Sequence, residues 1–188
     1  MKTVGNFTFT ETEIDGVFII ESKIYEDNRG YFQETYHYDN FRKAGLDMIF
    51  VQNNESKSQK GVLRGLHFQT KYSQGKLIRV LSGDIFDVAV DMRKNSKSFG
   101  KYVSTILSSK NGKMMYIPEG FAHGFLVLSD EATISYKCTQ FYNKEYESGI
   151  MWNDRELNIN WPLDLIDKVI LSEKDVKLQL FEKYRSTL

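Results

Sequence analysis

Apolar and polar positions alternate, or apolar residues cluster, in many short runs along the chain. These runs are rich in Val, Ile, Phe and Tyr and are separated by Gly, Asn, Asp and Ser. They cover residues 17–21, 31–38, 49–53, 62–69, 76–81, 84–92, 102–107, 113–117, 122–128 and 132–141. Short strands with frequent turn signals predict a sandwich or barrel. Pro118 and Pro162 both fall outside the runs, as strands require. Two helices are predicted. Asp39 is placed to cap a short one that stops at Gly45. A longer one is expected to start near Ser172 and run through Lys177, Leu178, Leu180, Phe181 and Tyr184, because Ser172-Glu173-Lys174-Asp175 is close to a capping box. No repeat, low-complexity tract or linker interrupts the pattern, so one domain over residues 1–188 is expected.

Composition narrows the class. A hydrophobic content of 41% with 14% aromatics is that of a chain with a packed core, not a disordered one. The 25 basic and 25 acidic residues balance, and no basic stripe stands out, which argues against nucleic acid. Cys138 is the only cysteine, so an internal disulfide and a cysteine-rich zinc site are both excluded. No window has the apolar length of a membrane helix and the N-terminus has no apolar signal core. A soluble, cytoplasmic protein is expected, with no membrane partner.

The scarce histidines mark the candidate chemistry. His67 lies in Val62-Leu63-Arg64-Gly65-Leu66-His67-Phe68-Gln69. His123 lies in Pro118-Glu119-Gly120-Phe121-Ala122-His123. The Pro-x-Gly-x-x-His spacing resembles the second half-motif of the cupin superfamily, and the first stretch resembles the first. Metal-binding cupins place a second His and a Glu where this chain has Gln69 and Gln74. Carboxamides are weak ligands for transition metals, so a metal-dependent isomerase or dioxygenase is the less favoured reading. A metal-free histidine can still move protons near neutral pH, best with a carboxylate beside it. Asp175 and several other acids could serve, and spacing does not choose among them. Lys76 or another cation could oppose charge on an enolate. Tyr136, on one side of its strand with Ile134 and Cys138, is a candidate acid. Blander readings also stand: Tyr136 as a core tyrosine, Asp175 as a helix cap, Arg29 as a turn arginine. One conflict appears. Arg64 and His67 lie three apart, so a regular strand points them to opposite faces unless Gly65 marks a bulge or bend.

Several blocks together resemble the dTDP-4-dehydrorhamnose 3,5-epimerase family. They are Asp27-Asn28-Arg29-Gly30-Tyr31-Phe32, Phe50-Val51-Gln52-Asn53-Asn54, Arg64-Gly65-Leu66-His67, Gln74-Gly75-Lys76-Leu77, Asp87-Val88-Ala89-Val90-Asp91, Gly120-Phe121-Ala122-His123-Gly124-Phe125, Tyr136-Lys137-Cys138-Thr139, Trp152-Asn153-Asp154 and Leu171-Ser172-Glu173-Lys174-Asp175. The resemblance implies an all-β, cupin-type jelly-roll barrel with short peripheral helices, including one near the C-terminus. It implies an isomerase that uses neither cofactor nor metal and acts on a dTDP-linked 4-keto-6-deoxy sugar. His67 then resembles the general base, Asp175 its carboxylate, Tyr136 the acid on the opposite face and Lys76 the cation near the C4 oxygen. Arg64 and His123 would line the same site, and Tyr142 would stack on the thymine. Gln52, Asn54, Glu147 and Lys174 match further substrate positions. Arg29 and Glu34 match contacts supplied by the partner in a homodimer with exchanged N-terminal strands. A relative that epimerises one carbon only would share these residues. The absence of a Gly-rich dinucleotide fingerprint agrees with a cofactor-free reaction.

Overall fold

The computed structural model describes residues 1–187, and Leu188, the last residue of the expected domain, lies outside them. In chain order the elements are β1 (Lys2–Val4), β2 (Phe7–Glu11), β3 (Phe18–Ser22), β4 (Ile24–Asp27), β5 (Gly30–Gln33), α1 (Tyr38–Ala44), β6 (Gln52–Gln59), β7 (Leu63–Gln69), β8 (Lys76–Ser82), β9 (Asp84–Asp91), β10 (Tyr102–Ser108), β11 (Lys113–Ile117), β12 (Phe121–Val127), β13 (Glu131–Cys138), β14 (Glu147–Gly149) and α2 (Phe181–Arg185). Two antiparallel sheets face each other as a jelly roll. One runs β1-β2-β3-β11-β8-β13-β6 and the other β10-β9-β12-β7-β14. The hairpin β4-β5 pairs only with itself.

Period-two alternation builds three apolar layers from these strands. Between the sheets pack Ile78, Val80, Ile85, Ala89, Met115, Phe121, Phe125 and Ile134. The opposite faces of the same strands are also covered. Leu63, Leu66, Val88, Val90 and Leu126 meet Ile150, Leu157, Trp161 and Phe181 of the C-terminal segment. Phe7, Phe9, Ile20, Leu77 and Met114 meet Phe41 of α1. Burial on both faces explains why β12 is buried at every position and reads as a continuous apolar run.

Some expected elements differ. Helix α1 does stop at Gly45, which takes the left-handed conformation that favours glycine (φ 101°), but His37 occupies the cap position. Asp39 sits inside the first turn and pairs with Arg42 at 3.5 Å. The long C-terminal helix does not form. Ser172 Oγ does accept from the Asp175 amide at 3.1 Å, but only a single 3-10 turn, Asp175–Lys177, follows. The chain then extends, because Gln179 bridges to Ile150 and its carbonyl accepts from the Met151 amide. Helix α2 starts afresh where buried Asp154 accepts from the Phe181 amide. The run at 31–38 is a strand only as far as Gln33, and the strand expected at 49–53 begins at Gln52 instead and continues through a wholly polar stretch.

The turn after β9 is closed by Asp91, whose carboxylate accepts from Arg93, Ser96 and Ser98. Burial works against its ionisation, but these donors outweigh it and hold the pKa at about 2. A depressed carboxylate stabilises the fold above its unfolded pKa, and the benefit is lost as pH falls through the folded value. Asp91→Asn is therefore expected to cost about 2 kcal/mol at neutral pH. Thermal melts of both forms should show this gap narrowing between about pH 4 and pH 2.

Candidate active site

The site lies between the two sheets, where the inward rows turn from apolar to polar. On β13 the row Ala132, Ile134, Tyr136 and Cys138 faces inward. In register beside it, Tyr136 pairs with Asn54 of β6 and Ile78 of β8, and Cys138 with Gln52 and Lys76. This wall therefore carries Gln52, Asn54, Lys76 and Tyr136. The opposite wall is β7, which supplies His67. Together with Gln69, Gln74, Tyr142 and Glu147 they line one cavity of about 350 Å³.

The conflict between Arg64 and His67 is resolved by a bulge. On β7, Arg64 pairs with Phe125 and His67 with His123, so three steps on β7 oppose two on β12. The extra residue restores parity. Leu63, Leu66 and Phe68 all face the outer apolar layer, while Arg64 and His67 share a second recess with Ser172, Lys174 and Asp175. Gly65 permits this at φ 133°, and a Cβ there would meet Gly124 Cα at 2.5 Å.

His67 Nε2 lies 2.5 Å from Asp175 Oδ1, and Ser172 Oγ donates to Asp175 Oδ2 at 2.8 Å. Burial opposes the charge on Asp175, but His67 and Ser172 hold its carboxyl below the ordinary range. An ionised Asp175 fixes the proton on Nε2 and leaves the second ring nitrogen, unbonded among the described residues, to accept one. Burial pushes the Tyr136 phenol up and Cys138 adds to this, so Tyr136 keeps its proton and can donate it. Burial pulls Lys76 down, opposed by the negative charges of Asp87 and Glu147. Glu147 accepts from Tyr142 Oη at 2.8 Å and pairs with Lys174, joining three expected substrate positions in one chain.

His123 is buried beside this site, and its Nε2 lies 2.7 Å from Oδ1 of the fully buried Asp87. Sequence reasoning gave Asp87 no role, although a carboxylate inside the apolar strand 85–90 is an unusual burial. Asp87 Oδ2 is the one buried side-chain polar atom without a hydrogen bond among the described residues. Arg29 and Glu34 are not brought to the cavity by their own chain. Arg29 is exposed on the β4-β5 hairpin and pairs with Asp27, while Glu34 accepts from Asn6. Among the described residues no three His, Cys, Asp or Glu side chains are grouped to hold a metal ion.

A jelly-roll barrel with an imidazole and a phenol on facing walls of one polar cavity defines a cupin-type protein equipped for acid–base chemistry. Its relatives specify the family. The dTDP-4-dehydrorhamnose 3,5-epimerase profile matches residues 11–183. The enzyme of that name from Methanothermobacter thermautotrophicus is 54% identical over 92% of this chain and 93% of its own. A crystal structure from Legionella pneumophila, dTDP-6-deoxy-D-glucose-3,5-epimerase in complex with dTDP-4-keto-L-rhamnose, is 48% identical. It superposes with a TM-score of 0.90 over 94% of this chain and 93% of that one. A 3'-monoepimerase from Streptomyces bikiniensis in complex with dTDP-quinovose is 30% identical, with a TM-score of 0.87 over 94% and 89%. This chain belongs to the dTDP-4-dehydrorhamnose 3,5-epimerase family, and it is an isomerase.

Gly65→Ala forces a side chain into a left-handed position and against the backbone of β12. A loss of about 2–4 kcal/mol is expected from strain and overpacking together. Any folded fraction should lose substrate proton exchange, measured by NMR, because the bulge that aims His67 is lost.

Proposed function

We propose that this chain catalyses epimerisation at C3 and C5 of dTDP-4-dehydro-6-deoxy-D-glucose, giving dTDP-4-dehydro-L-rhamnose, and that it does so as a homodimer in the cytoplasm. The observation that carries this reading is the facing pair, His67 on β7 and Tyr136 on β13, across one cavity with Lys76 beside Tyr136. The substrate already holds a ketone at C4, which acidifies the C–H bonds at C3 and C5. His67 removes a proton and becomes an imidazolium held by Asp175. The electron pair moves to the C4 oxygen as an enolate, and Lys76 opposes that charge. Carbon is then reprotonated from the other face by Tyr136, which recovers its proton from solvent. Hydrogen returns to the same carbon, so no electrons are exchanged and no nicotinamide is required.

Tyr142, Gln52, Asn54, Glu147 and Lys174 hold the nucleotide, and Arg64 and His123 complete the sugar end. Arg29 and Glu34 serve the partner subunit's site. Support for this comes from the hairpin that carries Arg29. It joins neither large sheet by backbone pairing, and it exposes Tyr31 and Phe32 at 60% and 68%. An apolar surface of that kind on a monomer points to a second chain that covers it. No helix of the described residues is long and apolar enough to cross a membrane. The shared core between the sheets supports a single working domain.

The direct test is incubation with the 4-keto dTDP sugar in D₂O without added metal, followed by NMR. Deuterium at both C3 and C5 is expected. Label at one carbon only would reject the double epimerase in favour of a monoepimerase. His67→Ala should bind dTDP nearly as the parent does but lose proton exchange by ~10²–10⁴-fold.

Subunit exchange of site residues has its own test. Arg29→Ala and His67→Ala chains are each expected to be impaired alone. Co-expressed, their mixed dimers should regain one intact site, with His67 from one chain and Arg29 from the other. Activity no greater than the sum of the two separate variants would rule out the exchanged arrangement.

A further inference from the structure

The wall that carries Tyr142 has no regular structure of its own. Strand β13 ends at Cys138, the next helical turn starts at Lys144, and residues 140–143 cross between them with Phe141 and Tyr142 exposed. Glutamine side chains hold this segment. Gln74 Nε2 donates to the Gln140 carbonyl at 2.8 Å. Gln69 Nε2 donates to the Phe141 carbonyl at 3.3 Å. Gln52 Oε1 accepts from the Tyr142 amide at 2.9 Å. Gln69 Oε1 accepts from the Asn143 amide at 2.6 Å. Four successive residues thus each commit one backbone group to a glutamine amide. Gln69 also donates to the Tyr72 carbonyl at 2.7 Å, and it is itself buried, with 6% of its surface exposed.

The chemistry of this clasp explains the residue type. A segment that offers both carbonyls and amides needs a side chain that donates at one end and accepts at the other, and a carboxamide does both. A carboxylate at position 69 would accept from Asn143 but set an anionic oxygen against the Tyr72 and Phe141 carbonyls. The two positions where metal-binding cupins carry ligands have here become backbone clasps.

We propose that Gln69 is a positioning residue for nucleotide recognition, acting through the 140–143 segment to hold Tyr142 against the pyrimidine base. This rests on the reading above that Tyr142 stacks on the base. Gln69 holds the backbone on both sides of Tyr142, and Gln52 and Gln74 complete the grip. The sugar end, with His67, Lys76 and Tyr136, is carried on strands β7, β8 and β13 and not on the 140–143 segment. Nucleotide affinity and turnover are therefore separable at Gln69.

The test is calorimetric titration with dTDP, together with steady-state kinetics on the dTDP keto sugar. The variants are Gln69→Ala, Gln69→Glu, Tyr142→Ala and the double variant Gln69→Ala/Tyr142→Ala. Removing the two hydrogen bonds of Gln69 to the segment should raise the dTDP Kd and KM by about tenfold, with kcat within about threefold. In the Tyr142→Ala background, Gln69→Ala should change Kd by less than about threefold, because the residue it positions is gone. Equal losses in both backgrounds would overturn the proposal, as would a fall in kcat matching the rise in KM. Tyr142→Ala with an unchanged Kd would instead sink the stacking assignment itself. Should the Gln69 variants fail to fold, Gln74→Leu decides. It is expected to raise Kd by about threefold for its one lost bond, and only when Tyr142 is present. No rise in Gln74→Leu would overturn the clasp.

Discussion

Strand β7 has to satisfy two layers at once, and the register shift near Gly65 is how it does so. Outward it must bury Leu63, Leu66 and Phe68 under the C-terminal segment. Inward it must present Arg64, which reaches Ser58 on the other sheet, and His67, which lines the cavity. A regular strand cannot do both with this spacing, because side chains alternate strictly. The extra residue on β7 opposite β12 reconciles them. Without it, either the outer core would lose Leu63 or the imidazole would point away from the cavity. The chemistry and the packing of this barrel thus depend on the same local irregularity.

Buried aspartates recur through the molecule, each with a different set of partners. Asp154 accepts from three backbone amides and ties a loop to the start of α2. Asp91 closes a turn with an arginine and two serines. Asp175 holds one imidazole and a serine, and Asp87 holds the other imidazole. The first two are fully engaged and serve folding. Asp87 keeps one oxygen unbonded, and its charge acts on Lys76. A buried carboxylate left half-engaged costs stability unless a nearby cation offsets it. The cation that offsets it, Lys76, lines the cavity.

Legibility followed burial. Strands with one or both faces in a core, such as β8, β9, β11 and β12, were plain in the sequence because apolar periodicity marks them. Strand β6 was not. Its residues Gln52 to Gln59 are all polar, since it forms a sheet edge with one side toward solvent and the other partly toward a polar cavity. The long C-terminal helix that the capping pattern predicts does not form, for the reverse reason. A genuine Ser172 turn was present, but the bridge of Gln179 to Ile150 draws the chain out, and no local pattern records so distant a partner. Family resemblance singled out His67, Tyr136, Lys76 and Asp175, and the fold brings these four into one region. Asp87 and the clasping role of Gln69 escaped it, because both act through neighbours that only the folded chain brings together.

The pairing of His67 with Asp175 joins residues 108 positions apart, and Asp175 follows every strand in the chain. A ribosome therefore releases the imidazole long before the carboxylate that it bonds. Both sheets can be complete while His67 still lacks its Asp175 partner. The same C-terminal segment covers the outer apolar layer and supplies the carboxylate beside His67, so the outer core and the His67–Asp175 pair are completed together.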